Sequence, residues 1–296
     1  EASKNIKMNI PTSIFTGVGF YWSSQFAVWA AKCAELGTKI YGMQHGGTYG
    51  DVEILDVEFL ERKVSDKYIT WGWSENDDTI PMPASRLINI NKDSLNIIDQ
   101  ILWVTTADSR FNYFVGQIVF GNQFLKYFEH QINLYGLLPS DIRDKIKIRL
   151  YKDDFEWKLK ERFLDSYPNI NFSDNSKNFV NEAAQSKLVI IDHLGGTTFL
   201  ELITMKVPVI IVADPSLFKF RAKSKLFYDE LMRVGIVFLS NEEAAIQIPE
   251  IINDIEKWML NKERKKVVDN FKNKYALTNK YSTKIWLDFL KHDIDK

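Results

Sequence analysis

The chain has 296 residues, a formal net charge of −1, 45 % hydrophobic and 26 % charged residues, and a single cysteine, Cys33. That size fits two ordinary domains of a water-soluble globular protein, and the charge balance gives no general pull toward nucleic acid. One cysteine excludes an internal disulfide and a cysteine metal cluster and fits a reducing cytoplasm, while no apolar run is long enough to span a bilayer and no signal-peptide pattern opens the chain.

Ser13 to Thr16 reads as a short strand and Gly17 to Gly19 as a turn. Ser23 or Ser24 then caps a helix running to about Leu36, with Phe26, Trp29, Ala30 and Cys33 on one face. Gly37 ends the helix and Lys39 to Met43 forms a second strand, giving a βαβ unit. This strand runs into Gln44-His45-Gly46-Gly47-Thr48-Tyr49-Gly50. In open parallel sheets, ligands bind at the carboxyl ends of strands. His45 is therefore placed to donate to a phosphate or to act as a general base, within a cleft loop that includes Gln44, Gly46, Gly47 and Tyr49. Glu58 is the next candidate base, with Glu61 as a further carboxylate nearby. Asp66 to Trp73 is a third strand ending in a turn.

Residues 75–96 carry Asn, Asp, Pro and Ser with little periodicity, which predicts a linker. The expected division is 1–74 for a first Rossmann-like, acceptor-side domain, 75–96 for the linker, and 97–296 for a second, nucleotide-binding domain with C-terminal helices. The first domain is short, so part of it is expected to lie upstream. In the second half, Ile98 to Thr105 is a strand and about Gly116 to Tyr135 a helix with Ile118, Phe124, Phe128 and Ile132 as its stripe. Lys145 to Tyr151 is a strand, about Glu156 to Leu164 a helix, Ile170 to Phe172 a small strand and Asn178 to Ala184 a helix. Leu188 to Ile191 and Val207 to Val212 are buried strands, and Phe238-Leu239 is a last short one. Helices are predicted over Ile246 to Met259, Lys262 to Tyr275 and Lys284 to Lys291.

Between the two buried strands stands Asp192-His193-Leu194-Gly195-Gly196-Thr197-Thr198-Phe199-Leu200-Glu201, with a helix predicted from Thr198 to Met205. Gly195 and Gly196 let backbone N–H groups approach a phosphate, Thr197 and Thr198 add hydroxyl donors, and the helix N-terminus favours negative charge. His193 is placed to bond a phosphate or a base edge, and Glu201, one turn into the helix, a ribose hydroxyl. The loop is neither a P-loop nor a dinucleotide fingerprint. Arg149 and Lys152 bring positive charge to the end of a strand, where arginine can grip phosphate in bidentate fashion. Lys219, Arg221, Lys223 and Lys225 read as a basic loop, either a solvated face or a contact for a phospholipid-linked acceptor or the donor phosphate.

The cleft histidine, the Lys145 to Lys152 strand, the Gly195-Gly196-Thr197-Thr198 loop with Glu201, and Val207-Pro208-Val209-Ile210 occur in an order that resembles GT-B glycosyltransferases. More narrowly, Gln44 to Gly50 together with Ser65 to Trp73 resembles a family of transferases found with bacterial O-antigen genes. The resemblance spans most of residues 13–275. It implies two Rossmann-like α/β domains and transfer of a sugar from a nucleotide-sugar donor, bound by the second domain, to a glycan or lipid-linked acceptor, bound by the first. It further implies no cofactor and no Asp-x-Asp metal motif; Asp51-Val52-Glu53 does not match one. It places the protein in the cytoplasm, with peripheral contact at the inner face of the plasma membrane. A nucleotide-sugar epimerase, a polyol-phosphate transferase and a non-catalytic binding module remain alternative readings. Donor, acceptor, stereochemistry and oligomeric state stay open.

Overall fold

A computed structural model describes residues 10–90, 96–111, 119 and 121–294. The chain builds two parallel sheets flanked by helices. The first has the order β1 (Ser13–Thr16), β2 (Lys39–Met43), β3 (Lys67–Thr70), β4 (Thr79–Pro81), every neighbouring pair parallel. The second contains β5 (Ile98–Val104), β6 (Ile146–Arg149), β7 (Ser186–Ile191), β8 (Val209–Val212) and β9 (Val237–Phe238), in the order β6-β5-β7-β8-β9 and again all parallel. β7 and β8 are buried at nearly every position, as strands covered by helices on both faces must be.

The helix Ser24–Glu35 forms where its cap predicts, with the Ser23 hydroxyl accepting from the Phe26 N–H at 3.2 Å. It ends before Gly37, which takes the left-handed conformation that glycine adopts without a Cβ clash. Lys262–Tyr275 also forms as read. Other expectations are corrected. Part of the 75–96 segment is not a plain linker: it contributes β4 to the first sheet and a 3₁₀ turn at Ser85–Leu87. The helix expected from Gly116 begins at Gln123 and runs to Leu137; Gly116 and Ile118 lie outside the described residues. Ile170 to Phe172 makes one bridge, to Ile148, rather than a strand. The helix expected over Ile246 to Met259 is two, Asn241–Asn253 and Ile255–Leu260, because Asp254 leaves helical geometry and caps the second by accepting from the Lys257 N–H.

The sequence reading missed the helices Asp56–Lys63 and Ala222–Arg233. The second turns much of the expected basic loop into a helix face. Its buried stripe is Ser224, Tyr228 and Leu231, and a serine at its head hides the apolar period. The last helix, Ser282–Ile294, returns to the first sheet: Phe289 packs against Phe15 and Tyr41, and the Trp286 indole donates to the Pro83 carbonyl at 2.8 Å.

One apolar core runs across both sheets. Tyr49, Tyr68, Trp71, Trp73 and Leu87 from the first half pack with Phe199, Tyr228, Phe271 and Tyr275 from the second. Many of the abundant aromatics are therefore spent on joining the halves rather than left exposed.

Candidate active site

The loops after β2 and β7 meet. Both leave the carboxyl ends of their strands, and the Gly47 N–H donates to the Thr197 hydroxyl at 3.0 Å. A Cβ on Gly47 would stand 2.2 Å from the Gly196 carbonyl carbon, and one on Gly195 would stand 2.7 Å from Thr48 Cγ2. Gly195 (φ 74°) and Gly196 (φ 86°) are both left-handed, and the His193 ring lies directly beneath Gly196. Between the loops remains a cavity of about 10 Å³, at the limit of what admits one water. The expected phosphate cradle is thus closed on its first-domain side, and the Thr197 hydroxyl is already engaged. The helix Thr197–Met205 has no side-chain cap at Gly196, while Thr198 is half-buried in its first turn.

His45 stands beside this junction. Its Nε2 is 3.1 Å from the Tyr21 hydroxyl, and its Nδ1 is 3.0 Å from the Tyr49 hydroxyl and 3.5 Å from Glu61 Oε1. Burial, with the nearby Arg86 charge adding to it, lowers the His45 pKa below its ordinary 6.5, although a hydrogen bond with the Gly17 backbone opposes the shift. Glu61 is fully buried, and desolvation pushes it up to about 8 against the hydrogen bonds it accepts from tyrosines. Gln44 is engaged by its own surroundings: its side-chain oxygen takes the Trp71 N–H and the Trp73 indole, both at 2.8 Å, and its amide returns to the Gly46 carbonyl. It holds the loop in shape.

Glu58, the second candidate base, stands in a set of ion pairs. Its carboxylate accepts from the Gly50 N–H at 2.9 Å, from Arg62 at 3.2 Å and from Arg221 of the second half at 2.9 Å. These bonds belong to a clasp. Val52 bridges Phe220 in antiparallel fashion, Glu53 N–H donates to the Lys219 carbonyl, Arg221 N–H to the Asp51 carbonyl and Arg221 Nε to the Val52 carbonyl. The Tyr228 hydroxyl donates to Asp51 Oδ2 at 2.9 Å, and burial pushes Asp51 up to about 7. Lys219 pairs with Glu53 and Lys225 with Asp229, so the basic run is largely neutralised in place.

Arg149 is likewise committed. It reaches Glu182 at 2.6 Å and the Lys177 carbonyl at 2.9 Å, tying down the segment that precedes β7. Lys152 is exposed and lines a separate cavity of about 280 Å³ with Tyr151, Asp154, Lys160 and Asn175. Asp192 forms a buried anchor under the β7 loop, accepting from the Trp103 indole at 2.8 Å, the Tyr127 hydroxyl at 2.7 Å and the Gln131 amide. His193 Nδ1 lies 3.4 Å from the same carboxylate, so Asp192 orients that ring.

The sequence reading overlooked Arg86. It projects from the 3₁₀ turn Ser85–Leu87, pairs with Glu201 at 3.1 Å, and lowers the His45 pKa through its charge. Its side chain is 59 % exposed. It therefore supplies a cation in contact with the glycine-loop helix and within electrostatic reach of His45. Among the described residues, no group of three His, Cys, Asp or Glu side chains is arranged to hold a metal ion.

Solved structures share this architecture. A protein from Listeria monocytogenes assigned as a UDP-N-acetylglucosamine 2-epimerase aligns with TM-score 0.56 at 12 % identity, over 96 % of this chain and 75 % of its own. S. aureus MnaA, in a co-structure with UDP, aligns with TM-score 0.56 at 10 % identity over 96 % and 75 %. A mutant of S. aureus TarM, in complex with fondaparinux, α-GlcNAc-glycerol and UDP, aligns with TM-score 0.52 at 12 % identity, over 90 % of this chain but only 54 % of TarM. These likenesses establish a fold of the GT-B type. No curated protein matches the sequence. The family model that does match covers residues 1–290, and the chain belongs to the LIC12162 family of transferases.

Proposed function

We propose that this protein is a glycosyltransferase that moves a sugar from a nucleotide-sugar donor to a hydroxyl of a glycan or lipid-linked acceptor, in the synthesis of a bacterial surface polysaccharide. The observation that carries the reading is the juxtaposition across the two sheets: His45 with its tyrosine and carboxyl partners on one side, the Gly195–Thr198 loop on the other, and Arg86 paired with Glu201 of the loop's helix and within electrostatic reach of His45. Membership of a transferase family and the UDP bound by two structural neighbours support it.

In this reading the acceptor hydroxyl displaces the Tyr21 hydroxyl at His45 Nε2. Its O–H bond breaks as the proton passes to the imidazole, and its oxygen bonds to the sugar C1. The bond from C1 to the donor phosphate breaks, and the nucleoside phosphate leaves with the electron pair. Arg86 and the amides of the glycine loop take up the developing phosphate charge, so transfer is proposed to be independent of added metal. Glu201, held by Arg86, is offered to the ribose. Because Gly47 and Thr197 close the cradle, the donor enters when the two loops part. The proposed site of action is the inner face of the plasma membrane; among the described residues no helix is long and apolar enough to cross a membrane.

The test is a thermal-shift panel of UDP-, GDP-, CMP- and dTDP-sugars, followed by transfer assays with and without EDTA. Stabilisation by one donor and EDTA-resistant transfer to an acceptor support the proposal. Interconversion of a free nucleotide-sugar without acceptor would identify an epimerase instead, and stabilisation by a CDP-polyol alone would identify a polyol-phosphate transferase.

A further inference from the structure

Glu61 sits on the inward face of the helix Asp56–Lys63 with its carboxyl wholly removed from solvent. A carboxyl group in that position needs a cation or a set of donors. The two guanidinium groups nearby, Arg62 and Arg221, both turn to Glu58. What reaches Glu61 is the Tyr68 hydroxyl at 2.7 Å, the Tyr49 hydroxyl at 3.4 Å, the Tyr21 hydroxyl as a further donor, and His45 Nδ1 at 3.5 Å. The Tyr49 hydroxyl is also 3.0 Å from Nδ1, so it bridges imidazole and carboxyl. Tyr21 comes from the helical turn Gly19–Trp22; the other titratable groups facing the cluster are Asp56 and Glu58 from Glu61's own helix, and Arg86, which acts on His45. Among the described residues, His45 is the only ion-pair partner Glu61 has.

We propose that Glu61 is the proton partner of His45: a positioning carboxyl that shares one proton with the imidazole by way of the Tyr49 hydroxyl, and so sets the tautomer and basicity of His45. The functional meaning rests on the reading of His45 as the base of the site; the proton sharing itself does not. A pair holding one proton carries no net charge, whether as neutral imidazole with carboxylic acid or as imidazolium with carboxylate, and burial tolerates both. Desolvation raises the carboxyl to about 8 and lowers the imidazole. At neutral pH the proton therefore rests on Glu61 and the imidazole is uncharged. When that proton is lost, a carboxylate faces Nδ1, fixes the Nδ1–H tautomer and makes Nε2 the stronger base. The outer shell explains why the arrangement persists: Tyr68 on β3 anchors Oε2, leaving Oε1 toward His45.

The experiment is a pH titration of the full chain with ¹³C,¹⁵N-labelled histidine, followed by NMR. There are four histidines, so His45 is assigned by its loss in His45→Gln. The wild type is expected to give two inflections on His45: its own below 6.5, and a second near pH 8 as Glu61 ionises. Glu61→Gln should abolish the second and leave a single step. Should that variant not fold, the comparison passes to Tyr49→Phe, in which the second inflection should shrink because the bridging hydroxyl is gone. A single inflection in the wild type, or a second inflection unchanged in the folded variant, overturns the assignment. The titration needs no donor or acceptor, so its outcome is independent of whether sugar transfer is the reaction.

Discussion

Gly47→Ala is the sharpest probe of how the two halves meet. The new Cβ would lie 2.2 Å from the carbonyl carbon of Gly196, 2.5 Å from its oxygen and 2.7 Å from its Cα. Carbon atoms pack at about 3.5–4.0 Å, so the loops must separate by more than about 1 Å. All three clashing atoms are backbone, and no flexible side chain can swing aside. The separation also breaks the bond from Gly47 N–H to Thr197. Overpacking of this kind costs about 1–3 kcal/mol, and a lost hydrogen bond about 1 kcal/mol. The expected destabilisation is thus about 2–4 kcal/mol. Gly46→Ala is the internal control. Its Cβ would meet only Thr197 Oγ1, at 3.2 Å, and a change within about 1 kcal/mol is expected. Urea denaturation of both variants beside the wild type, with m-values compared, reads the difference. If Gly47→Ala proves as stable as Gly46→Ala, the loops are not in contact in solution and the closed cradle is wrong.

Three further outcomes are expected. Asp51 titrates at about 7 in the folded chain and near 3.8 when unfolded, so the folded state binds the proton more tightly. Its stabilising effect is present in acid and is lost as pH rises through this window, amounting to about 4 kcal/mol by neutrality. Asp51→Asn should flatten that part of the pH–stability curve in urea titrations between pH 4 and 8; an unchanged slope would refute the assignment. Arg86→Ala should weaken nucleotide-sugar binding about 10-fold or more by calorimetry, as expected when a charged hydrogen-bond donor worth about 1.5–3 kcal/mol is removed, whereas Arg149→Ala should instead lower stability by freeing Glu182. His45→Ala should lower turnover by about 10²–10⁴-fold while leaving donor affinity nearly unchanged; near-normal turnover in a folded variant would reduce His45 to a turn residue.

The amino-acid sequence by itself determined the alternation of strands and helices, most strand positions and the two glycine loops at strand ends. These are local properties. β1 and β2 form over the residues read as strands, and Val209 to Val212 is apolar throughout because a strand covered on both faces must be. Where local signals were weak, as at the polar-headed helix Ala222–Arg233 or the three-residue β4, tertiary packing decided instead. The partners of charged side chains were decided only by the folded chain. Glu58 meets Arg221 across 163 residues, Gly47 meets Thr197 across 150, and Arg86 meets Glu201 across 115. Nothing in the periodicity of a helix tells Glu58 from Glu61, three residues apart on one face and both buried. The fold gives one to the clasp and the other to His45. Arg149 and Arg86 are separated by the same logic: a guanidinium serves whichever carboxylate the tertiary structure brings within reach, and that choice depends on distances no local pattern encodes.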